Sequence, residues 1–200
     1  MNHHRETDLA ECLCRRLSGA ELPETGFLEL QGRRTPAAVL LPLIPGERGY
    51  DVLFTRRSEH LRDHAGQVSF PGGRKEPGES SERAALREAW EEIGLEPSRV
   101  TVLGRLGPYH TGTGYRVRPI VARIDPPAVW RPDPDEVAEV FTVPLAFLTD
   151  PANHRQYETE RHGRRLRYHA LTWREHFIWG ATAGILMQFC QVLSPTAENA

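Results

Sequence analysis

The sequence has few cysteines and only one lysine, and both shortages limit what the protein can be. Cys12, Cys14 and Cys190 form no Cys-x-x-Cys pair, and a Cys-x-Cys step without histidine partners is a poor zinc site. We therefore expect three reduced thiols in a cytoplasmic protein. Lys75 is the single lysine among 25 basic residues. Arginine suits bidentate binding of phosphate, although genomic base composition can also produce this skew.

Long apolar runs and a strong net charge are lacking as well. No run reaches the length that spans a bilayer, and residues 1–15 lack the apolar core of a secretion signal. We therefore expect neither export nor a membrane partner. A formal net charge of −2 argues against a general nucleic-acid-binding protein. Hydrophobic residues make up 39% of the 200 residues, which is enough for the core of a folded domain.

Short apolar runs between turn residues predict a mixed set of strands and helices. The predicted strands lie at residues 37–44, 51–56, 67–70, 100–106, 117–124 and 137–143, with a hairpin over residues 156–173 that turns at His162-Gly163. The predicted helices lie at residues 8–17, 80–93, 145–148 and 175–193. This order predicts a single α/β or α+β domain. We divide the chain into an N-terminal helix and lead-in (1–25), the main domain (26–193) and a frayed tail (194–200).

The helix predicted at residues 80–93 carries an unusual concentration of carboxylates. At about 100° per residue, Glu88, Glu91 and Glu92 share one face, opposite Leu86 and Trp90. Like charges at this spacing destabilise an isolated helix by roughly 0.2–0.5 kcal/mol per pair. The cluster makes sense if a hard divalent cation binds there, since Mg²⁺ prefers oxygen ligands and shares its shell with substrate phosphates. An acidic surface helix without a role is the alternative.

The segment before this helix favours the cation-binding interpretation. Phe70-Pro71-Gly72-Gly73 ends a predicted strand, and its glycines allow the backbone to approach a metal or a phosphate closely. The N-terminus of the following helix adds a favourable potential for an anion. Strand, glycine loop and acidic helix together predict a diphosphate site.

The same stretch resembles the Nudix box, whose pattern is G-x5-E-x7-R-E-U-x-E-E-x-G-U with U an aliphatic residue. The matching residues are Gly73, Glu79 and the run Arg87-Glu88-Ala89-Trp90-Glu91-Glu92-Ile93-Gly94-Leu95, with Ala89 as a small residue at the first U. The resemblance implies an α/β/α sandwich with a mixed central sheet. It also implies metal-dependent hydrolysis of a nucleoside diphosphate linked to another group.

Residues before the box resemble the signature of the coenzyme A pyrophosphatase branch, L-L-T-x-R-S/A-x3-R-x3-G-x3-F-P-G-G. Here the signature reads Leu53-Phe54-Thr55-Arg56-Arg57-Ser58, then Arg62, Gly66 and Phe70-Pro71-Gly72-Gly73, with Phe54 at the second leucine. Residues 134–141 and 178–185 also resemble that branch. The resemblance implies cleavage of coenzyme A (CoA) or its thioesters to 3′,5′-ADP and 4′-phosphopantetheine or its acylated form.

The resemblance also implies site roles for particular residues. Glu88, Glu92 and Glu91 are expected to hold Mg²⁺ or Mn²⁺, while Glu79 and Arg87 support the site. The general base stays open, and the candidates are Glu88, Glu91, Glu136 and Glu139. The expected substrate-binding residues are Arg57, Arg62, Gly72 and Gly73, and strand alternation predicts that Arg56 and Arg57 point in opposite directions.

Two rival functions remain at this point. One is a Nudix hydrolase of another nucleoside diphosphate derivative, such as ADP-ribose or a dinucleoside polyphosphate, and the other is a non-catalytic nucleotide-binding regulator. The complete set of box carboxylates argues against the regulator. Four late aromatic residues are interpreted as core or dimer contacts rather than a stacking site: Trp173, Phe177, Trp179 and Phe189. The basic run 161–167 is interpreted as a solvated hairpin tip.

Overall fold

The structure is a computed structural model and describes residues 2–18, 22–28, 32–47, 49–126, 129–161 and 164–194. The predicted hairpin turn at His162-Gly163 and the predicted tail after Ser194 lie outside the described residues. None of the helices in these ranges combines the length and apolar character needed to cross a bilayer. The three cysteines are free.

The described chain alternates helices with short strands. The helices are α1 (Asn2–Leu17), α2 (Ser81–Ile93), α3 (Leu145–Thr149) and α4 (Gly180–Leu193), with single 3₁₀ turns at Pro97–Arg99 and Pro151–Asn153. The first strands are β1 (Thr25–Gly26), β2 (Thr35–Gly46), β3 (Gly49–Arg57), β4 (Val68–Ser69), β5 (Gly72–Arg74) and β6 (Val100–Arg105). The later strands are β7 (Tyr109–His110), β8 (Tyr115–Ile124), β9 (Val137–Pro144), β10 (Arg155–Arg161), β11 (Arg164–Trp173) and β12 (His176–Trp179). The predicted α/β class with a mixed sheet is confirmed.

Among the described residues, nine strands form the main sheet, and two of its central strands, β2 and β3, separate along part of their length. Strands β2 and β8 run parallel at the centre, and most other pairs are antiparallel. Strand β2 pairs with β3 only from Leu43 to Gly46, beside the turn that joins them, and the two strands diverge before Leu43 in β2 and after Val52 in β3. The β4–β5 segment fills the opening, because β4 pairs with β3 and β5 pairs with β2. The loop predicted at Gly72-Gly73 is therefore part of a short strand.

The two faces of the main sheet bury separate cores. Helix α2 covers one face through a cluster that includes Ala85, Ala89 and Ile93. Helices α1 and α4 cover the other face, together with a second sheet of strands β10, β11 and β12. Leu13 of α1 and Phe189 of α4 are fully buried there. The layers are thus helix, sheet and a mixed helix-sheet layer.

The boundaries of α2 are those that the sequence predicts, and one of its carboxylates is buried. The Ser80 side chain accepts a hydrogen bond from the Arg83 N–H, and Gly94 ends the helix at φ 67°. Trp90 is 49% exposed, whereas Glu92 is 4% exposed. The helix therefore buries the side that carries Glu92 and not that of Trp90, because the small residues Ala84, Ala85 and Ala89 allow this side to lie close against the sheet.

The C-terminal helix begins later than predicted. Residues 176–179 form strand β12, in which buried and exposed side chains alternate, and α4 starts at Gly180. The period of two in His-Phe-Ile-Trp is the period of a strand, and Gly180 has a φ of 63° that separates the two elements. The prediction of a helix over residues 175–179 is wrong.

Candidate active site

The β4–β5 segment places Gly72 and Gly73 directly against the acidic face of α2. The Gly72 N–H donates to Glu92 Oε2 at 3.1 Å. A Cβ atom at Gly73 would lie about 2.5 Å from the carboxylate of Glu88, closer than real Cβ atoms approach other atoms. Glycine at these positions therefore lets two carboxylates of the helix reach the backbone of the sheet.

Glu92 is a buried acid at the centre of this arrangement. Its pKa is raised to about 8, mainly by burial and also by the Glu88 and Glu136 carboxylates, against the opposing effects of the Gly72 N–H and the Arg57 guanidinium. Burial likewise raises the pKa of Glu88, and Glu91 and Glu136 add to that effect. The fold therefore concentrates negative charge where water solvates it poorly, an arrangement that a bound cation would relieve.

Arg87 donates hydrogen bonds to three carboxylates on the outer edge of the cluster. Its Nη1 donates to Glu88 at 3.0 Å and to Glu91 at 2.8 Å, and its Nε donates to Glu79 at 3.0 Å. Its Nη2 also donates to the Arg74 carbonyl. The hydrogen bond from Arg87 to Glu79 lowers the pKa of Glu79. The like-charge repulsion expected on this helix is thus partly offset by one arginine.

Arg57 and Arg56 point to opposite faces, as strand alternation predicts. Arg57 Nη1 lies 4.0 Å from Glu92 Oε1, while its Nε is buried and has no hydrogen-bond acceptor among the described residues. Arg56 pairs with Glu139 at 3.0 Å and with Glu59 at 3.3 Å. Arg62 is exposed in the loop between β3 and β4. Only Arg57 of the three therefore contacts the helix carboxylates.

The two candidate bases in the later segment occupy different places. Glu136 lies near enough to Glu88 and Glu92 to raise the pKa of each carboxyl, and its carbonyl accepts a hydrogen bond from the Ser58 N–H. Glu139 instead pairs with Arg56 and lies 3.6 Å from His176 Nε2. It points to the sheet face opposite α2, because it shares the side of β9 with Phe141, whose ring stacks on His176. The structure therefore does not bring Glu139 to the cluster.

The donor set on α2 fits a hard divalent cation. Glu88 and Glu92 offer carboxylate oxygens at the glycine strand, and the missing Gly73 Cβ leaves room for them. Glu88, Glu91 and Glu92 are not gathered within 4.8 Å, since Arg87 binds Glu91 and one oxygen of Glu88.

A second group of possible ligands lies apart from α2. Among the described residues, Glu139, Glu175 and His176 are gathered within 4.8 Å of one another. Arg56 already occupies one oxygen of Glu139. This group is therefore the weaker candidate for a cation.

A cavity of about 610 Å³ opens beside the glycine strand, a size typical of small-molecule sites. Its lining includes Arg57, Gly72 and Gly73, together with Tyr168 and Trp179 of the second sheet. A larger cavity of about 1280 Å³ lies between α3 and α4 and includes none of the helix carboxylates. The smaller cavity is not lined by these carboxylates either, but its lining residues Arg57, Gly72 and Gly73 lie against Glu92 and Glu88, so it is the cavity beside the cluster.

Comparison with known proteins agrees with this geometry. Residues 33–163 match the NUDIX domain family. The relative "Uncharacterized Nudix hydrolase NudL" of Photorhabdus laumondii is 42% identical over 78% of this chain and 83% of its own length. The Escherichia coli K12 protein of the same name is 42% identical over 76% of this chain and 79% of its own length. The chain belongs to the Nudix family, and its activity is hydrolysis of a pyrophosphate bond in a nucleoside diphosphate derivative.

Solved structures are similar to this chain at lower sequence identity. A Nudix hydrolase from M. smegmatis, RenU, covers 56% of this chain and 72% of its own, with 26% identity and a TM-score of 0.44. A MutT/nudix family protein from Enterococcus faecalis covers 92% of this chain and 69% of its own, with 18% identity and a TM-score of 0.49.

Sequence reasoning missed the contribution of the second sheet to the cavity. Tyr168, Trp179 and Thr159 line it, yet they lie 64 to 84 residues after Leu95, where the box ends in the sequence. The strand-like alternation of residues 176–179 was the available signal, because it places Phe177 and Trp179 on one exposed face.

Proposed function

We propose that this chain hydrolyses the diphosphate of CoA or a CoA thioester, giving 3′,5′-ADP and 4′-phosphopantetheine or its acylated form. The observation that supports this proposal is the position of the pre-box signature. Its Arg57 and Gly72 both contact Glu92 of the acidic helix, and its Gly66 N–H donates to the Arg57 carbonyl. The residues that resemble the CoA branch thus border the reactive carboxylates.

The buried Nε of Arg57 supports a phosphate-binding role for this residue, because it has no hydrogen-bond acceptor among the described residues. A buried donor without an acceptor is costly, and a phosphate oxygen is the acceptor that guanidinium binds best. We infer that Arg57 binds the substrate diphosphate beside Glu92. Arg62, on the exposed loop between β3 and β4, is then the candidate for the 3′-phosphate of CoA.

Glu88 and Glu92 would hold Mg²⁺ or Mn²⁺, with Glu91 sharing the site once Arg87 releases it. When bound, the cation neutralises phosphate oxygens and lowers the pKa of water. Water attacks one phosphorus, the bridging oxygen leaves with the other phosphate, and a carboxylate takes the proton from the water. Glu136 joins Glu88 and Glu91 as the candidates for this base, because its charge reaches the cluster, whereas Glu139 is withdrawn from that role.

A substrate panel tests the proposed function. Wild-type protein is incubated with CoA, an acyl-CoA, ADP-ribose and a dinucleoside polyphosphate, each with Mg²⁺ or Mn²⁺, and the products are separated by chromatography. We expect CoA or its thioester to yield 3′,5′-ADP fastest. Faster cleavage of ADP-ribose would contradict the CoA assignment, and binding without any product would favour a regulator.

A second experiment tests the arginine assignment with a matched control. We expect the wild type to prefer CoA over dephospho-CoA, because the latter lacks the 3′-phosphate. Arg62→Ala should reduce that preference, and Arg57→Ala should lower activity on both substrates. Arg56→Ala, which removes an arginine paired on the opposite sheet face, should leave the ratio unchanged. Equal turnover of both substrates by the wild type would show that no arginine reads the 3′-phosphate.

A further inference from the structure

The outer face of the second sheet is aromatic where a solvated face would be polar. Tyr157, Phe177 and Trp179 are 43%, 42% and 38% exposed, and Tyr168 completes the group. Their ring centroids lie 5.6 to 6.4 Å apart in four neighbouring pairs. The opposite face of the same sheet, including Leu171 and Ile178, is fully buried in the core. An exposed aromatic group of this size indicates a binding surface.

Half of this aromatic face belongs to the substrate cavity. Tyr168 and Trp179 line the cavity that also contains Arg57, Gly72 and Gly73, whereas Tyr157 and Phe177 do not line it. A ligand whose diphosphate lies at the glycine strand can therefore reach Tyr168 and Trp179 within the same cavity. The interpretation of Trp179 as a core or dimer contact does not account for this position.

We propose that Tyr168 and Trp179 form a stacking surface for the nucleobase of the substrate. Their rings meet at 62° with centroids 5.8 Å apart, an edge-to-face arrangement that leaves ring surface for a further flat group. A nucleobase offers such a flat π system. A pantetheine arm is flexible and carries two amides, which need hydrogen-bond partners that aromatic faces do not supply. The proposal rests on the proposed function only in requiring a nucleotide substrate.

The experiment compares Trp179→Ala with Phe177→Ala. Phe177 is a matched control, because it lies on the same sheet face with similar exposure but outside the cavity. Calorimetry measures the Kd of 3′,5′-ADP and of 4′-phosphopantetheine without added metal, so no turnover interferes. We expect Trp179→Ala to weaken 3′,5′-ADP binding by about 5- to 100-fold. Phe177→Ala should leave that Kd within about threefold, and Trp179→Phe, which keeps a ring, should retain most of the affinity.

Several outcomes would overturn the proposal. Equal weakening by Trp179→Ala and Phe177→Ala would indicate general damage to the sheet, and loss of phosphopantetheine binding alone would place the other half of the substrate here. A Trp179→Ala variant that changes only the oligomeric state in gel filtration would make the face a contact between copies. If the wild type fails to cleave CoA but binds another adenine nucleotide through Trp179, the stacking proposal stands and the CoA assignment fails.

Discussion

At the scale of single residues, Glu92 combines burial with a charge that the site requires. It is 4% exposed, and its carboxyl group faces the Gly72 N–H and the Arg57 guanidinium. Two neighbouring carboxylates, Glu88 and Glu136, oppose its ionisation. A residue in this position destabilises the metal-free protein when it ionises, and it becomes useful when a cation neutralises it.

The stability of the metal-free protein should therefore depend on pH through Glu92. Its pKa is raised from 4.5 to about 8 in the folded protein. Above pH 4.5 the unfolded chain releases this proton while the folded protein keeps it, so the free energy of unfolding falls as pH rises to about 8. Glu92→Gln removes this pH-dependent decrease in the free energy of unfolding. We expect its melting temperature to exceed that of the wild type by at least about 2 °C at pH 8.5 but not at pH 5.

Circular dichroism melts in chelator-treated buffer measure this difference. Glu91→Gln is the control, because it keeps Glu92 and changes a side chain that is 54% exposed on the same helix. Its melting temperature should differ from that of the wild type by the same amount at both pH values. If Glu92→Gln melts below the wild type at both pH values, the carboxylate is held by internal contacts and its role is structural.

The second residue-scale prediction concerns the contact between Gly73 and Glu88. A methyl group at Gly73 would overlap the Glu88 carboxylate and push it away from the sheet. A displacement of about 1 Å in a site can cost about 10²-fold in rate, so we expect Gly73→Ala to lower kcat by about that factor with a folded protein. Gly46→Ala is the control, because its Cβ would lie 3.4 Å from the nearest atom. Equal kcat for Gly73→Ala and the wild type would show that Glu88 acts from another position.

At the scale of elements, the sequence predicts strand and helix spacing better than it predicts faces. The box spacing places Glu88, Glu91 and Glu92 on a helix with the bounds that α2 has. It does not reveal that Glu92 is buried and Trp90 exposed. The packing of three alanines against the sheet decides that orientation, and hydrophobicity alone favours the tryptophan side.

The site elements that sequence reasoning missed come from long-range pairing. The pairing of β5 with β2 joins Gly72 to Val39, and the second sheet brings Trp179 to the cavity. Local patterns in the sequence carry no information on which distant strands pair. The residues of the box were therefore predictable, while the cavity wall and the position of Glu139 were not.

Helix α2 gives an element-scale prediction through Arg87. This guanidinium bonds to Glu79, Glu88 and Glu91 together, and lysine keeps the charge but cannot reproduce the planar set of donors. We expect Arg87→Lys to lower the melting temperature by about 2–4 °C and kcat by about tenfold. Arg83→Lys, an exposed change on the same helix, is the control. Wild-type kcat and melting temperature in Arg87→Lys would mean that charge alone holds the carboxylates.

At the scale of the whole molecule, the proposed cation site depends on the opening between β2 and β3 in the main sheet. Strands β2 and β3 diverge, β5 occupies the opening, and α2 lies across it. The carboxylates thus contact two elements that come together only in the folded chain. A cation held there binds the folded protein and not the unfolded chain, so it should stabilise the entire domain.

The last prediction measures this linkage and separates the two carboxylate groups. At a Mg²⁺ concentration about 100 times its Kd, binding adds about 2.7 kcal/mol to the free energy of unfolding, which raises the melting temperature by about 5–10 °C in a chain of this size. Glu88→Gln and Glu92→Gln should lose most of that rise, and kcat should fall by at least about 10²-fold. Glu139→Gln should keep the rise, because Glu139 lies with His176 on the other sheet face. If Glu139→Gln alone abolishes the Mg²⁺-dependent rise, the cation binds at Glu139, Glu175 and His176, and the assignment to α2 is wrong.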